Sequence, residues 1–206
     1  MSNLTHRRYA SVGQLSDELR RTSSLRYVRH GATAPNIARV RCGGDLDVPL
    51  HEQGRAQARE TARKLAGVQP PFGLIITSPL KRTRETAEII AAALSGVEIL
   101  IVPGFAERRL GEWNLRSIEE TQPWLAAGRT PPGGESDADF VLRIGRAVQT
   151  VKPWLPLHPL LVGSKGVARV LGQLVGLPKR LDLGNAQLAE FRLADLECLE
   201  TAWGTI

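Results

Sequence analysis

Three short stretches of the sequence place reactive or charged side chains directly after apolar runs. His30 follows Arg29 at the end of "LRYVRH", and Gly31 then lets the backbone turn tightly. Arg82 comes after "FGLIITSPL", and Glu107 comes after "VEILIV" and a short loop. A lone histidine at such a position is also common as a structural residue. If the three ends meet, however, they supply a nucleophile, two anion-binding guanidinium groups and a carboxylic acid.

The stretch "SPLKRTRETA" concentrates cations at the start of a predicted helix. Lys81, Arg82 and Arg84 fall in its first turns, where the helix dipole is already positive. We therefore expect an anion near this helix end. The alternative is that Glu85 and Glu88 screen the cations on an exposed face.

The tip of "LLVGSKGVARVL" carries Ser164 and Lys165 between a predicted buried strand and a predicted helix. Such tips hold catalytic or phosphate-binding groups in many α/β proteins. "GSKG" is too short for a nucleotide-binding P-loop, and no base is evident that would activate Ser164. The tip thus has three possible interpretations: a catalytic turn, a phosphate-binding loop, or a site that has lost one of its catalytic groups.

The elements that must position these residues alternate between strand and helix. Apolar runs and helical periodicity predict the strands LRYVR, FGLIITS, VEILIV, PLLVG, QLAEFRL and LECLETA, the last two joined near Ala194 and Asp195. Helices are predicted in HEQGRAQARETARKLAG, SPLKRTRETAEIIAAAL, SDADFVLRIGRAVQTV and the segment after the tip. Ser78 is predicted to cap the second of these, with Pro79 at its first position. "HGATAPN" is predicted to be a loop.

This alternation predicts an α/β fold: a three-layer αβα sandwich with a mostly parallel central sheet and helices on both faces. Residues 104–136 are polar and loop-rich, with one short helix around Ser117 to Ala127, and are expected to form a lid or insertion. Residues 1–24 are expected to be an N-terminal extension with a short amphipathic helix. Residues 25–206 are expected to be a single domain, which suits a chain of 206 residues.

Composition narrows the class of partner. The formal net charge is +6, which favours anionic partners. Aromatic residues are only 5% and the arginines are dispersed, so a nucleic-acid-binding arm is not expected. No apolar run suggests a signal peptide or a membrane span, and a cytoplasmic location is expected. Cys42 and Cys198 are too few for a disulfide framework and are expected to be reduced thiols.

Taken together, these stretches resemble the motifs of the histidine phosphatase superfamily, which is also called the phosphoglycerate mutase-like family. The family signature is represented by Arg29, His30, Gly31, Thr33 and Asn36. "GGDLDVPLHEQG" is similar to a second family motif, although a histidine stands where threonine is usual. "SPLKRTRETA", "ERRLGEW" and "PPGGES" resemble three more, in the family's order.

The resemblance implies a two-step phosphoryl transfer without metal or cofactor. His30 would form a phosphohistidine that water then hydrolyses, and Glu107 would serve as acid and then base. Arg29, Arg82 and Asn36 would hold the phosphoryl oxygens. The expected partner is a small phosphorylated substrate, and a homodimer is left open.

The sequence departs from the family at the tip of the fourth strand. Relatives have a second catalytic histidine there, but Ser164 occupies its position and Lys165 the position of the following glycine. Loss of one preorganised donor typically slows catalysis by about 100- to 1000-fold. Lys165 could replace the donor, Ser164 could hold a water, or the site could only bind phosphorylated ligands. His158 precedes this strand, so it is expected at the far edge of the sheet.

Substrate choice in this family depends on the middle segment. There Arg109 is expected to bind substrate. The segment also contains Arg108, Trp113 and Arg129, and this set suggests an anionic or multiply phosphorylated molecule. A mutase fits less well than a phosphatase, because relatives with mutase activity usually have a longer insertion in this segment. The non-enzymatic alternative is a phospholigand-binding protein derived from a phosphatase.

Overall fold

The computed structural model describes residues 24–177 and 181–192 of the chain, and these residues form a five-stranded sheet. Its strands are β1 (Ser24–Arg29), β2 (Ile75–Thr77), β3 (Ile99–Ile101), β4 (Leu160–Gly163) and β5 (Leu188–Arg192). The order across the sheet is β3-β2-β4-β1-β5. Neighbouring strands are parallel except β5, which runs antiparallel to β1. The predicted, mostly parallel sheet is thereby confirmed.

Six α-helices lie between the strands in the described part of the chain. They are α1 (Ala34–Ile37), α2 (Glu52–Leu65), α3 (Lys81–Ala93), α4 (Ile118–Ala126), α5 (Asp137–Val151) and α6 (Lys165–Leu174). Three 3₁₀ turns complete the connections, at Pro103–Phe105, Gly111–Trp113 and Lys152–Leu157. The short helix α1 lies where the sequence predicted only a loop.

Helices cover both faces of the sheet, as the αβα prediction requires. On β1, Tyr27 packs into the core formed with α5 and α6, whereas Val28 packs into the core formed with α2 and α3. β4 repeats this alternation, with Leu161 in the first core and Val162 in the second. Alternate side chains of a strand point to opposite faces, so both strands contribute to both cores.

The start of α3 differs from the prediction. The helix begins at Lys81 with Leu80 as its N-cap, so Ser78 and Pro79 lie before it. The Ser78 hydroxyl bonds the hydroxyl of Thr83 at 2.7 Å. Ser78 therefore stabilises the turn into the helix instead of capping its first amide.

Two other helix starts have clear local causes. His51 is the N-cap of α2, and its Nδ1 accepts a hydrogen bond from the Gln53 amide at 3.2 Å. The histidine that departs from the family motif thus still performs a capping role, which a threonine also performs well. Ser117 caps α4 in the same manner, through the Glu120 amide. The predicted short helix in the middle segment is confirmed.

The described helices include none long and apolar enough to span a membrane. The predicted extension (residues 1–24, apart from Ser24 in β1) and the strand LECLETA, which contains Cys198, lie outside the described residues. Cys42 is a free thiol. The first strand, at Ser24–Arg29, begins one residue earlier than predicted.

Candidate active site

A pocket opens at the carboxyl ends of β1 and β4, where a parallel sheet presents ligand-binding loops. Its cavity volume is about 120 Å³. The lining includes Arg29, His30, Thr33, Asn36, Arg82, Glu107 and Lys165 from the predicted set, together with Arg41, Cys42, Arg108, Gly166 and Arg169. The stretches singled out in the sequence therefore converge on one pocket.

His30 is held in one tautomer by the backbone. It follows β1 directly, is 4% exposed, and its Nδ1 lies 2.7 Å from the carbonyl oxygen of Gly31. A carbonyl can only accept, so Nδ1 carries the proton and donates it to this bond. The neutral ring then has its lone pair on Nε2, which is the atom that a nucleophilic histidine uses.

The surroundings of His30 also keep its ring neutral. Burial lowers the pKa of His30 well below its ordinary value, and the positive charges of Arg82 and Arg29 lower it further. The bond to Gly31 opposes this shift, since it favours the protonated ring. An unprotonated Nε2 is therefore available at neutral pH.

Arg29 presents one buried donor without a partner in the structure. Its Nη1 donates to the Leu183 carbonyl at 2.7 Å, whereas its Nε is buried and bonds nothing. Burial lowers the pKa of Arg29, and the nearby Glu107 carboxylate opposes that shift. Since an arginine side chain does not lose its proton in proteins, Arg29 stays cationic. An unsatisfied donor beside His30 suits an oxyanion.

Arg82 is the largest side chain that is almost fully buried, with 1% exposed. Its Nη1 and Nη2 donate to the carbonyls of Leu46 and Gly43, at 3.0 and 3.1 Å. Both acceptors belong to the stretch "GGDLDVPL". That motif therefore fixes the guanidinium of Arg82 in the wall of the pocket, while leaving other N–H donors of its five for a ligand.

The same loop supplies a carboxylate at the cationic start of α3. The Asp47 carboxylate accepts the Lys81 amide at 2.7 Å, at the helix N-terminus. Asp45 of the same loop accepts hydrogen bonds from the amides of Leu110 and Gly111. Partial burial raises the pKa of Asp45. The hydrogen bonds from Asn114 and from the two amides lower it, and the net result is a pKa below the ordinary value.

The alternative interpretation, that Glu85 and Glu88 screen the cations of α3, is only partly correct. Arg84 pairs with Glu88 at 3.5 Å on the exposed surface. Glu85, in contrast, pairs with Arg55 at 2.6 Å and accepts the Leu50 amide. The anion at the start of α3 is thus Asp47, which is distant in sequence.

Glu107 is oriented by two backbone amides. Oε1 accepts from Arg108 at 2.8 Å, and Oε2 accepts from Gly166 at 2.9 Å. Gly166 follows β4, so the carboxyl group bridges the loop after β3 and the tip of β4. This placement puts a potential proton donor in the same pocket as His30.

Asn36 is oriented by donors on its carbonyl side. Its Oδ1 accepts from the amide and the hydroxyl of Thr33 and from Nδ2 of Asn185, each at 3.1 Å. With Oδ1 occupied, the Asn36 NH₂ group is left to face the pocket that the residue lines. Asn185 also donates to the His30 carbonyl at 3.1 Å.

Ser164 and Lys165, the two residues that follow β4, lie in different environments. Ser164 is 1% exposed, and its buried hydroxyl has no hydrogen-bond partner in the structure. Lys165 lines the pocket and is paired through Nζ with Oδ1 of Asp182. In this conformation the Ser164 hydroxyl bonds no protein group, and the Lys165 ammonium group is held by Asp182.

Three predicted binding residues lie outside the pocket lining: Ser164, Gly31 and Arg109. Gly31 is buried and packs backbone to backbone against Gly54, whose carbonyl a side chain at position 31 would overlap. The glycine therefore permits close packing of the loop against α2. Arg109 is exposed and outside the pocket lining, whereas Arg108 is buried, lines the pocket and pairs with Asp137 at 3.2 Å.

Sequence reasoning missed Arg41, Arg169 and Asn185. The signal for Arg169 was its position one helical turn after Lys165, which puts both on one face of α6. Arg41 and Asn185 lie in irregular segments and had no periodic signal. Among the described residues, no cluster of His, Cys, Asp and Glu could hold a metal ion.

A comparison with protein families finds a match along most of the chain. The family model described as the histidine phosphatase superfamily (branch 1) matches residues 25–204. The matched range contains each of the pocket residues described above.

Individual relatives are similar over most of their length. A probable phosphoglycerate mutase of Photorhabdus laumondii is 36% identical, with 85% of this chain and 87% of the relative covered. An uncharacterized phosphatase of Bacillus subtilis is 30% identical, with 85% of this chain and 89% of the relative covered. Among solved structures, a mycobacterial glucosyl-3-phosphoglycerate phosphatase complexed with VO3 has a TM-score of 0.68 and 30% identity, with 81% and 90% covered.

Proposed function

The chain belongs to the histidine phosphatase superfamily, and from this membership we propose that it hydrolyses phosphomonoesters through a phosphohistidine at His30. One observation carries the proposal. The Nδ1–H of His30 is bound to a carbonyl, so that the unprotonated Nε2 belongs to a pocket lined by Arg29, Arg82 and Glu107. A phosphate dianion is the group that this combination of charges and nucleophile fits best.

In the first step, Nε2 of His30 attacks phosphorus as the bond to the leaving oxygen breaks. Glu107 donates its proton to that oxygen, so the alcohol leaves neutral. The guanidinium groups of Arg29 and Arg82 stabilise the charge on the equatorial oxygens. The Asn36 NH₂ group adds a neutral donor.

In the second step, water attacks the phosphohistidine and the P–N bond breaks. The Glu107 carboxylate takes the proton from the water, and His30 returns to its neutral form with Nδ1–H still bound to Gly31. Inorganic phosphate is released and the enzyme regains its starting protonation state. The cycle uses residues of this chain and water.

The test is turnover of p-nitrophenyl phosphate together with trapping of the phosphoenzyme by a denaturing quench at alkaline pH. We expect turnover and a phosphohistidine in the wild type, with both abolished in His30→Ala. Retained turnover in a folded His30→Ala variant would assign the nucleophile elsewhere. The acid-labile, base-stable behaviour of the trapped phosphate separates phosphohistidine from a phosphoserine at Ser164.

The altered β4 tip favours a second candidate function. Ser164 has an unsatisfied buried hydroxyl and Lys165 is paired with Asp182, so the donor that relatives place here is missing from this arrangement. The chain could then be a weak phosphatase or a protein that binds phosphorylated ligands without turnover. Binding of phosphate esters with no detectable hydrolysis or phosphoenzyme would support this candidate over the first.

Mutase activity is the third alternative, and the names of several relatives refer to it. A mutase returns the phosphoryl group from His30 to a substrate hydroxyl, whereas a hydrolase gives it to water. Adding 2- or 3-phosphoglycerate to phosphoenzyme that is formed under native conditions, before any quench, distinguishes the two by whether a bisphosphate or inorganic phosphate is released. We expect inorganic phosphate.

A further inference from the structure

We propose that Tyr27 is a positioning residue for Glu107, and that it acts through the backbone at the start of α6. The inference deepens the proposed function and rests on it, because it takes Glu107 to be the proton donor of the reaction. Tyr27 does not line the pocket, so its effect on the reaction has to pass through other residues.

The hydroxyl of Tyr27 reaches from the middle of the sheet to the tip of β4. Tyr27 is fully buried, and its ring packs edge-on against Phe191 with 5.7 Å between the two ring centroids. Its partner across the sheet is Leu161, yet its hydroxyl donates to the carbonyl of Ser164, three residues further along, at 2.6 Å. The phenol therefore connects β1 to the N-cap residue of α6.

Gly163 provides the room for this bond. It is the last residue of β4, and a side chain at this position would overlap the hydroxyl and the ring of Tyr27. A Cβ here would push the phenol away from Ser164 or shift the end of β4. The glycine at position 163 and the tyrosine at position 27 are thus fitted to one another, which indicates that the contact is a specific feature of the packing.

The Ser164 carbonyl accepts two hydrogen bonds that hold the first turn of α6. One comes from Tyr27, and the other is the first bond of the helix, from the Ala168 amide at 3.1 Å. A carbonyl oxygen has two lone pairs, so both bonds form at once. The peptide plane between residues 164 and 165 is rigid, and only the two backbone dihedral angles of Lys165 separate it from the Gly166 amide. Fixing the carbonyl therefore restricts the direction in which that amide points.

Glu107 depends on the direction of the Gly166 amide, because its carboxyl group takes the place of a side-chain cap. The hydroxyl of an N-cap serine usually accepts from the second or third amide of its helix. In α6, Ser164 makes no such bond, and the second amide, that of Gly166, donates to Oε2 of Glu107 at 2.9 Å. A tilt of this first turn would therefore move the carboxyl group within the pocket.

Tyr27 remains a hydrogen-bond donor throughout the pH range of enzyme kinetics. Burial raises the pKa of Tyr27 well above its ordinary value, and the negative charge of Glu107 raises it further. The phenol is therefore protonated, and its bond to Ser164 does not break as the pH rises. A loss of activity on removal of the hydroxyl then reflects positioning and not a change in the charge of residue 27.

The experiment compares Tyr27→Phe with Thr77→Val. The first variant removes the hydroxyl and keeps the ring against Phe191. Thr77→Val is the matched control, because it also removes a buried hydroxyl that donates to a carbonyl of β4, that of Val162 at 3.2 Å. Val162 lies two residues before Ser164, so the control leaves the first turn of α6 untouched.

The kinetic measurement is kcat/KM for phenyl phosphate and for p-nitrophenyl phosphate, whose leaving oxygen needs less protonation. We expect Tyr27→Phe to lower kcat/KM for phenyl phosphate by about 3- to 10-fold, the factor associated with one hydrogen bond, and to lower it less for p-nitrophenyl phosphate. Thr77→Val should change both values by the same factor. In a Glu107→Ala background, Tyr27→Phe should have no further effect, since the effects of residues that act through one another do not add.

A second measurement does not need turnover. Hydrogen exchange of the Gly166 amide, followed by NMR, should be about 3- to 10-fold faster in Tyr27→Phe than in Thr77→Val, because the turn that carries the amide is held less firmly. Unchanged exchange would overturn the role of Tyr27. Equal losses of kcat/KM for the two phosphate esters, in a variant that thermal melting shows to be folded, would also overturn it.

The proposed function and the role of Tyr27 fail in different ways. A wild type without turnover or phosphoenzyme overturns the proposed function, and the exchange rate of the Gly166 amide then still decides whether Tyr27 holds the turn. Turnover that depends on His30, combined with the same exchange rate in both variants, overturns the positioning role and leaves the proposed function standing.

Discussion

The amide of Gly166 donates a hydrogen bond to Oε2 of Glu107 at 2.9 Å, across the space between β4 and the loop after β3. A side chain at position 166 would overlap the other carboxylate oxygen, Oε1. The tip of β4 therefore positions the acid of the pocket as well as forming its wall. This role depends on the backbone of Gly166 and not on the side chains of Ser164 or Lys165.

Gly166→Ala should displace the Glu107 carboxyl group and slow turnover. General acid–base catalysis contributes about 100- to 10,000-fold, so we expect kcat to fall by at least about 100-fold. A substrate with a good leaving group should suffer less than an alkyl phosphate, because it needs less protonation. Gly145→Ala, on α5 with open space around its Cβ, is the control and should leave kcat unchanged. Equal rates for both variants would contradict the role assigned to Gly166.

Ser164→His introduces the residue type that the sequence resemblance predicts at the β4 tip. Because Ser164 Oγ is buried without a partner, its replacement removes no hydrogen bond seen in the structure. We expect the added donor to raise kcat for p-nitrophenyl phosphate by about 10- to 100-fold, part of what such a donor usually contributes. Steady-state kinetics with a thermal melt checks this, since a larger buried side chain can also strain the core.

Lys165→Ala tests whether the lysine already compensates. Its pairing with Asp182 predicts little change in kcat. A loss of about 100-fold or more in Lys165→Ala, with no gain in Ser164→His, would instead show that Lys165 leaves Asp182 and serves as the missing donor.

Because the pKa of His30 is lower in the folded protein than in the unfolded chain, the free energy of unfolding should decrease as pH falls. The unfolded pKa of His30 is about 6.5 and its folded pKa lies below that, so the unfolded chain binds the proton first as pH falls. The wild type should therefore lose stability below about pH 6.5, by up to about 2 kcal/mol at pH 5 from this residue. His30→Gln lacks that group and should lose less. Urea unfolding of both proteins at pH 8 and pH 5 measures the difference, and parallel losses would contradict the buried neutral ring.

Much of the site was predictable because strand ends are predictable. His30 and Ser164 each follow a short apolar run, and parallel strands bring their carboxyl ends to one edge of the sheet. The order of the strands was not needed for that inference. This is why the residues after β1, β3 and β4 could be expected in one pocket from the sequence alone.

The errors came from contacts between segments that are distant in sequence. Serine is a favoured N-cap residue, so Ser78 was predicted to cap the helix. The Lys81 amide instead donates to the carboxylate of Asp47, 34 residues earlier in the sequence. Arg108 and Arg109 are adjacent arginines in an irregular segment, and only the backbone path decides that Arg108 faces the pocket. Local propensity and periodicity carry no information about either contact.

Asn185 should act as a positioning residue for Asn36. Its Nδ2 donates to Asn36 Oδ1 and to the His30 carbonyl. Asn185→Ala should therefore loosen the Asn36 amide, which would then be held by Thr33 alone. We expect kcat to fall by about 10-fold with a smaller change in KM, as for loss of part of a transition-state interaction. A double-mutant cycle with Asn36→Ala checks the mechanism: if Asn185 acts through Asn36, the double variant should be scarcely slower than Asn36→Ala. Multiplied losses would mean that Asn185 acts instead through the His30 backbone.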